Sequence, residues 1–127
     1  MRKKSCFLLV ALLGYPLASL AAGDPKRGEE IYSRCAACHS LDYNRTGPRH
    51  CGLFGRKAGG APDFQYSMAM RRSKIVWEEK TLDTFLTDPM KTVPGTAMGY
   101  AGIPDKQERA DLIAYLKMAN SSKDLCP

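Results

Sequence analysis

The sequence predicts an all-α domain. Helix-start signals stand near residue 24 and near residue 105, and a shorter apolar pattern at helical spacing lies between them. The stretch joining these segments is punctuated by glycine and proline, and no β-branched strand pattern flanks it. One further feature, the run Cys35-Ala36-Ala37-Cys38-His39, indicates what such a chain is built around.

Residues 1–21 read as a cleaved signal peptide. Arg2-Lys3-Lys4 forms a positive start, Phe7 to Leu20 is apolar but broken by Gly14 and Pro16, and Ser19-Leu20-Ala21 supplies small residues for cleavage. A membrane anchor would need about 20 unbroken apolar residues. The expected location is therefore periplasmic, and Cys6 leaves with the leader. Residues 22–127 suffice for one small domain. Three of the 19 Lys and Arg residues belong to the leader, so the excess of basic over acidic groups falls from six to three. The basic residues are scattered, which argues against a nucleic-acid partner. The densest cluster, Arg71-Arg72-Ser73-Lys74, reads as a solvated loop face.

The first helix is expected to open at Asp24-Pro25, an N-cap followed by proline at the first helical position. Gly28 and Tyr32, four apart, share one of its faces, and the helix runs into the Cys35–His39 motif. A middle helix is predicted from about Thr81 to Thr87, carrying Leu82, Phe85 and Leu86. It must stop before Pro89, whose predecessor is pushed out of the helical region. Asp88 can then cap a further short helix at Pro89. The last helix opens at Asp105-Lys106-Gln107-Glu108, turns Leu112, Ile113, Tyr115 and Leu116 to one side, and stops near Asn120-Ser121. Between Ser40 and about Met68 there is no periodicity. A loop that long weighs against a small domain unless a large flat cofactor gives it something to pack on.

C-x-x-C-H is the spacing of a c-type haem attachment site. Two thiols three positions apart can each bond to a vinyl-derived carbon of one porphyrin, and the next residue, His39, is held beneath the iron. A thioredoxin-like site would sit in a βαβ setting, which is absent. A zinc site would want four Cys or His ligands, yet the chain has only His39 and His50, and Cys51 and Cys126 show no paired spacing.

Over nearly the whole of residues 22–127 the chain resembles class I cytochromes c, the bacterial members closest to mitochondrial cytochrome c. The likeness rests on Cys35–His39, Thr46-Gly47-Pro48, Gly52 to Gly59, Val76-Trp77, Pro94-Gly-Thr-Ala-Met98, Ala101-Gly102-Ile103 and Arg109 to Lys117. It implies terminal helices that cross, with Gly28 and Tyr32 meeting Leu112 and Tyr115, and short middle helices and long loops wrapped around one covalently bound haem c. It implies that Cys35 and Cys38 carry the haem and that Met98 is the second axial ligand. It also implies that the Pro48 carbonyl holds the other ring nitrogen of His39, and that Arg56, Tyr66 and Trp77 hold a haem propionate.

The residues themselves leave Met68, Met70, Met90 and Met118 open as thioether ligands. Pro94-Gly95 and Gly99 single out Met98, because they bracket it in a tight loop. His/Met ligation fills both axial positions, which argues for electron transfer and against catalysis. The alternatives are a fixed subunit of a larger oxidoreductase and a peroxidase or gas-binding cytochrome with an open iron. By the resemblance, partners are a quinol-oxidising complex as donor and an oxidase, reductase or reaction centre as acceptor, visited by a monomer.

Three departures accompany the likeness. Met90, Ala97 and Pro104-Asp105 stand where the family places lysines, leaving Arg34, Lys91 and Lys106 as a thinner ring. His50 replaces a usual aliphatic residue, and reads as a partly buried neutral histidine or as a reserve ligand if Met98 is lost. Finally, Cys51 and Cys126 remain unassigned after the haem takes two thiols. In an oxidising compartment they read as a disulfide, because the likeness puts Cys51 near the end of the last helix.

Overall fold

The computed structural model describes residues 22–127, so the expected signal peptide lies outside the described residues. Five helices follow in chain order: α1 (Pro25–Tyr32), α2 (Met68–Arg72), α3 (Glu79–Thr87), α4 (Pro89–Thr92) and α5 (Lys106–Ser121). None of the described helices is long and apolar enough to cross a membrane.

The two longest-range helices are set by their caps. The Asp24 side chain accepts from the Lys26 N–H at 2.9 Å with Pro25 in the first turn. Asp105 accepts from the Glu108 N–H at 2.8 Å. Each carboxylate satisfies an N–H that the helix cannot pair internally. Helices α1 and α5 then pack face to face, burying Gly28, Ile31 and Tyr32 against Leu112, Tyr115 and Leu116. Asp111 fastens the junction: its Oδ1 accepts from the Asp24 N–H at 2.8 Å and from the Gln107 amide at 2.9 Å, and Arg27 lies 3.6 Å from its other oxygen.

Helix α3 starts two residues earlier than the sequence pattern indicates. Thr81 is the third residue of the helix and forms a capping box with Glu78, its hydroxyl oxygen accepting from the Glu78 N–H at 2.8 Å. Asp88 ends α3 and caps α4 through the Lys91 N–H, as expected. Arg109 ties α5 back to this region. Its guanidinium donates to Asp83 at 2.7 Å and to the Ile103 and Pro104 carbonyls at 2.8 and 2.9 Å.

The expected loop face at Arg71-Arg72 is corrected: both arginines belong to α2, although both stay exposed. Ser67 caps that helix by accepting from the Met70 N–H. Residues 40–67 hold no helix; many of their backbone bonds close local turns, and others tie residues 55–58 to the segment around Trp77. Gly55 N–H donates to the Trp77 carbonyl, Trp77 N–H to Arg56, and Ala58 N–H to Ile75, all within 2.8–2.9 Å. The C-terminal tail is held by a Cys51–Cys126 disulfide, with Cα atoms 5.4 Å apart. Beside it, the Asn120 side-chain oxygen accepts from the Gly52 and Leu53 N–H groups.

Candidate functional site

Past the end of α1 the chain continues in tight turns. Cys35 N–H donates to the Tyr32 carbonyl at 2.8 Å, and His39 N–H to the Cys35 carbonyl at 2.9 Å. These turns set Cys35, Cys38 and His39 along one wall of a cavity of about 440 Å³. Leu53, Trp77, Leu82, Phe85 and Leu112 are among the apolar side chains of the remaining wall, and Met98 also lines it. Burial pushes the Cys35 thiol up to about 11. It is protonated at neutral pH, unlike the low-pKa thiolate of a redox-active C-x-x-C pair.

His39 is held from several directions. Its Nδ1 lies 2.7 Å from the Pro48 carbonyl oxygen, which can only accept, so Nδ1 carries the hydrogen and Nε2 presents a lone pair. Burial lowers its pKa against the opposing effect of that bond, favouring the neutral ring. Gly47 allows the Pro48 carbonyl to come this close, because a Cβ there would stand 2.4 Å from His39 Cε1. The ring of His50 stacks on that of His39 with centroids 4.3 Å apart and planes 22° from parallel. A neutral, partly buried histidine is what the sequence suggested at this position. Burial first, then the neighbouring His39 and Arg56, lowers the His50 pKa to about 3. Its Nδ1 is 3.0 Å from the Tyr32 hydroxyl. A reserve-ligand role would require it to leave both the stack and that bond.

Of the methionines open in the sequence, Met68, Met90 and Met118 are exposed and lie off the cavity. Met98 lines it from the loop between α4 and α5, which is anchored by Thr96: the Thr96 hydroxyl oxygen accepts from the Met98 N–H at 3.2 Å. Met70 also lines the cavity and is buried. Nothing in its spacing separates Met70 from its neighbours; its place on the cavity comes with the short helix α2, which Ser67 caps at the Met70 N–H.

Arg56, Tyr66 and Trp77 all border the same cavity. Tyr66 accepts from the Ala61 N–H at 3.1 Å, which leaves its own hydroxyl hydrogen to donate elsewhere. Arg56 donates to the carbonyls of Arg49 and Cys51. Yet the Nε of Arg56 and the Nε of Arg49 are both buried without a partner, and among the described residues neither arginine forms an ion pair with a carboxylate. Arg49 was not singled out in the sequence. Two partly buried guanidinium groups, each with a buried and unpaired Nε and no carboxylate beside it, suit an anion.

These observations fit a haem. The cavity is walled mainly by apolar side chains, two thiols and two axial-type donors face it, and Arg56, which borders it, keeps an unpaired guanidinium nitrogen that an acidic group could use. Among the described residues no cluster of three or more His, Cys, Asp or Glu side chains could hold a bare metal ion. The donor set suits a metal that brings its own ring of ligands.

Comparison with known proteins agrees. The family model described as cytochrome c matches residues 25–120. Cytochrome c2 of Rhodomicrobium vannielii is 41% identical over 109 residues, covering 84% of this chain and 87% of that protein. Cytochrome c of Sesamum indicum is 45% identical over 103 residues, covering 78% and 93%. The solved structure of cytochrome cH from Methylobacterium extorquens superposes with a TM-score of 0.74 at 42% identity, covering 76% of this chain and 99% of that one.

Proposed function

The chain belongs to the cytochrome c family, whose members carry a single covalently attached haem c, and from that premise we propose a periplasmic electron carrier with His39 and Met98 as axial iron ligands. The observation that carries this reading is the convergence of Cys35, Cys38, His39 and Met98 on one apolar cavity. Bound there, haem supplies a one-electron ferrous–ferric couple.

The chain's own residues do the rest. Cys35 and Cys38 anchor the group, and the Pro48 carbonyl fixes the His39 tautomer so that Nε2 is the coordinating nitrogen. Thr96 and the Arg109 contacts hold both ends of the Met98 loop. Leu82, Phe85 and Leu112 exclude water, while Arg56, Tyr66 and Trp77 offer donors to the propionates. With both axial positions filled from the chain, no coordination site remains for a substrate, so the reading is a carrier and not an enzyme.

Donor and acceptor would be a quinol-oxidising complex and an oxidase, reductase or reaction centre, met by a monomer through the exposed cavity rim. That rim is weakly charged. Ala97 is exposed there, Met90, Pro104 and Asp105 are exposed elsewhere on the surface, and Glu108 already engages Arg34 through two hydrogen bonds of 2.9 and 3.0 Å. Lys91 and Lys106 keep steering possible at low salt.

The test is the absorption spectrum of the oxidised protein with and without Met98→Ala. The parent should show the weak near-infrared sulfur-to-iron band. The variant should lose it, fall in reduction potential and gain some peroxidase activity. A band that survives in Met98→Ala would place the thioether on Met70 and overturn the ligand assignment.

A further inference from the structure

We propose that His50 is a positioning residue for the axial imidazole: stacked on His39 and tethered by the Tyr32 hydroxyl, its ring fixes the plane that His39 presents to the iron. The bond from His39 Nδ1 to the Pro48 carbonyl fixes the tautomer and holds one edge of the ring. Rotation of a histidine ring about its Cβ–Cγ bond is soft, with a broad range of allowed angles. The hydrogen bond restrains that rotation from one edge only, whereas a second flat ring 4.3 Å away and 22° from parallel opposes the tilt over the whole face.

His50 can serve this way because it is itself immobilised. Its N–H is shared between the Ser40 and Leu41 carbonyls, each at 3.1 Å, so its backbone is tied to the residues that directly follow His39. Its Nδ1 meets the Tyr32 hydroxyl at 3.0 Å. Its chain neighbour Cys51 is bonded to Cys126. Tyr32 in turn packs on Tyr115 with ring centroids 5.2 Å apart. The α1–α5 junction therefore reaches the axial ligand through Tyr115, Tyr32 and His50, in that order. An aliphatic side chain at position 50 could fill the volume but would present no plane and accept no hydrogen bond from Tyr32.

The inference rests on His39 being an iron ligand, and its test keeps the two apart. Proton NMR of the ferric holoprotein reads the axial-ligand plane in the order and spread of the shifted haem methyl resonances, and EPR reads it in the g-value anisotropy. His50→Leu should change the methyl order and the anisotropy and shift the reduction potential. His50→Phe, which restores a flat ring, should return the pattern toward the parent. Tyr32→Phe should change it in the same direction as His50→Leu but by less, and it serves if His50→Leu does not fold. A parent-like pattern and potential in folded His50→Leu, or in Tyr32→Phe if only that variant folds, would overturn the role of His50, even if stability falls. Absence of the low-spin His/Met signature in the parent protein would overturn the ligand reading instead.

Discussion

Gly28 on α1 rests on the main chain of Asp111 on α5 so closely that a Cβ at Gly28 would stand 2.0 Å from the Asp111 carbonyl oxygen. The obstacle is backbone, which cannot swing aside as a side chain can. Gly28→Ala therefore sets two effects against each other. Helix propensity favours alanine by about 1 kcal/mol, while forcing packed elements apart costs typically 1–3 kcal/mol and occasionally more. Because the clash is with backbone at 2.0 Å, the cost falls at the upper end of that range, about 3 kcal/mol, and the net loss is roughly 2 kcal/mol, read as a lower guanidinium midpoint of the oxidised holoprotein. A variant as stable as the parent would show that the helices part without penalty.

Asp111 supplies the second prediction. It is fully buried, and burial pushes its carboxyl pKa up, but the Asp24 N–H, the Gln107 amide and the Arg27 charge outweigh burial and hold it below the usual range. A depressed folded-state value stabilises the fold fully above the unfolded value of about 3.9 and loses that contribution as pH falls through the lower folded value. Asp111→Ala leaves the Asp24 N–H and the Gln107 amide without their acceptor, at a cost of about 1–3 kcal/mol. The difference in melting temperature between parent and variant should be constant above about pH 5 and shrink on acidification. A gap that stays constant into strong acid would contradict the assignment.

The helices that frame this junction were legible because their caps are local. Asp24-Pro25 and Asp105 to Glu108 announce themselves within four residues of sequence. Helix α2 was not, since five residues give no period and Arg71-Arg72 look like any solvated loop. The start of α3 was misplaced because Thr81 works as the far half of a capping box with Glu78, not as the opening residue. At the site, the attachment run and the Met98 loop carry their chemistry in short spacings. The His39–His50 stack and the buried Arg49 and Arg56 do not. Each depends on how residues 40–67 fold back, and that path combines turns within the segment with tertiary contacts to Trp77 and Asn120 that no spacing in the chain announces.

Haem attachment should be a condition of folding. At this size folding buries only about two-thirds of the unfolded chain's surface, and here much of the inward-facing apolar surface lines the cavity instead of meeting other side chains. Changing Cys35 and Cys38 together to Ala should leave a largely disordered chain, seen as weak far-ultraviolet dichroism and no cooperative thermal transition. Native-like helicity with a sharp transition in the haem-free variant would refute this.

The Cys51–Cys126 disulfide closes a separation of 75 residues. In the chain-entropy model a loop of that length adds about 4 kcal/mol by restricting the unfolded state. The gain in practice depends on what else holds the tail. Asn120 already bonds to Gly52 and Leu53, and Cys126 N–H donates to the Ser122 carbonyl at 2.8 Å. Those bonds stabilise the folded tail but do nothing to the unfolded chain, so they cannot substitute for the cross-link's entropic effect. Cys126→Ser should therefore lower stability by about 2–4 kcal/mol, within the usual range for losing a native bridge. It should leave the near-infrared band in place, since neither His39 nor Met98, the proposed axial ligands, lies on the tail that the bridge holds. Alkylation of the purified holoprotein without reductant, followed by mass spectrometry, checks the bond itself: an unlabelled protein has it, and two labelled thiols would show that Cys51 and Cys126 stay reduced.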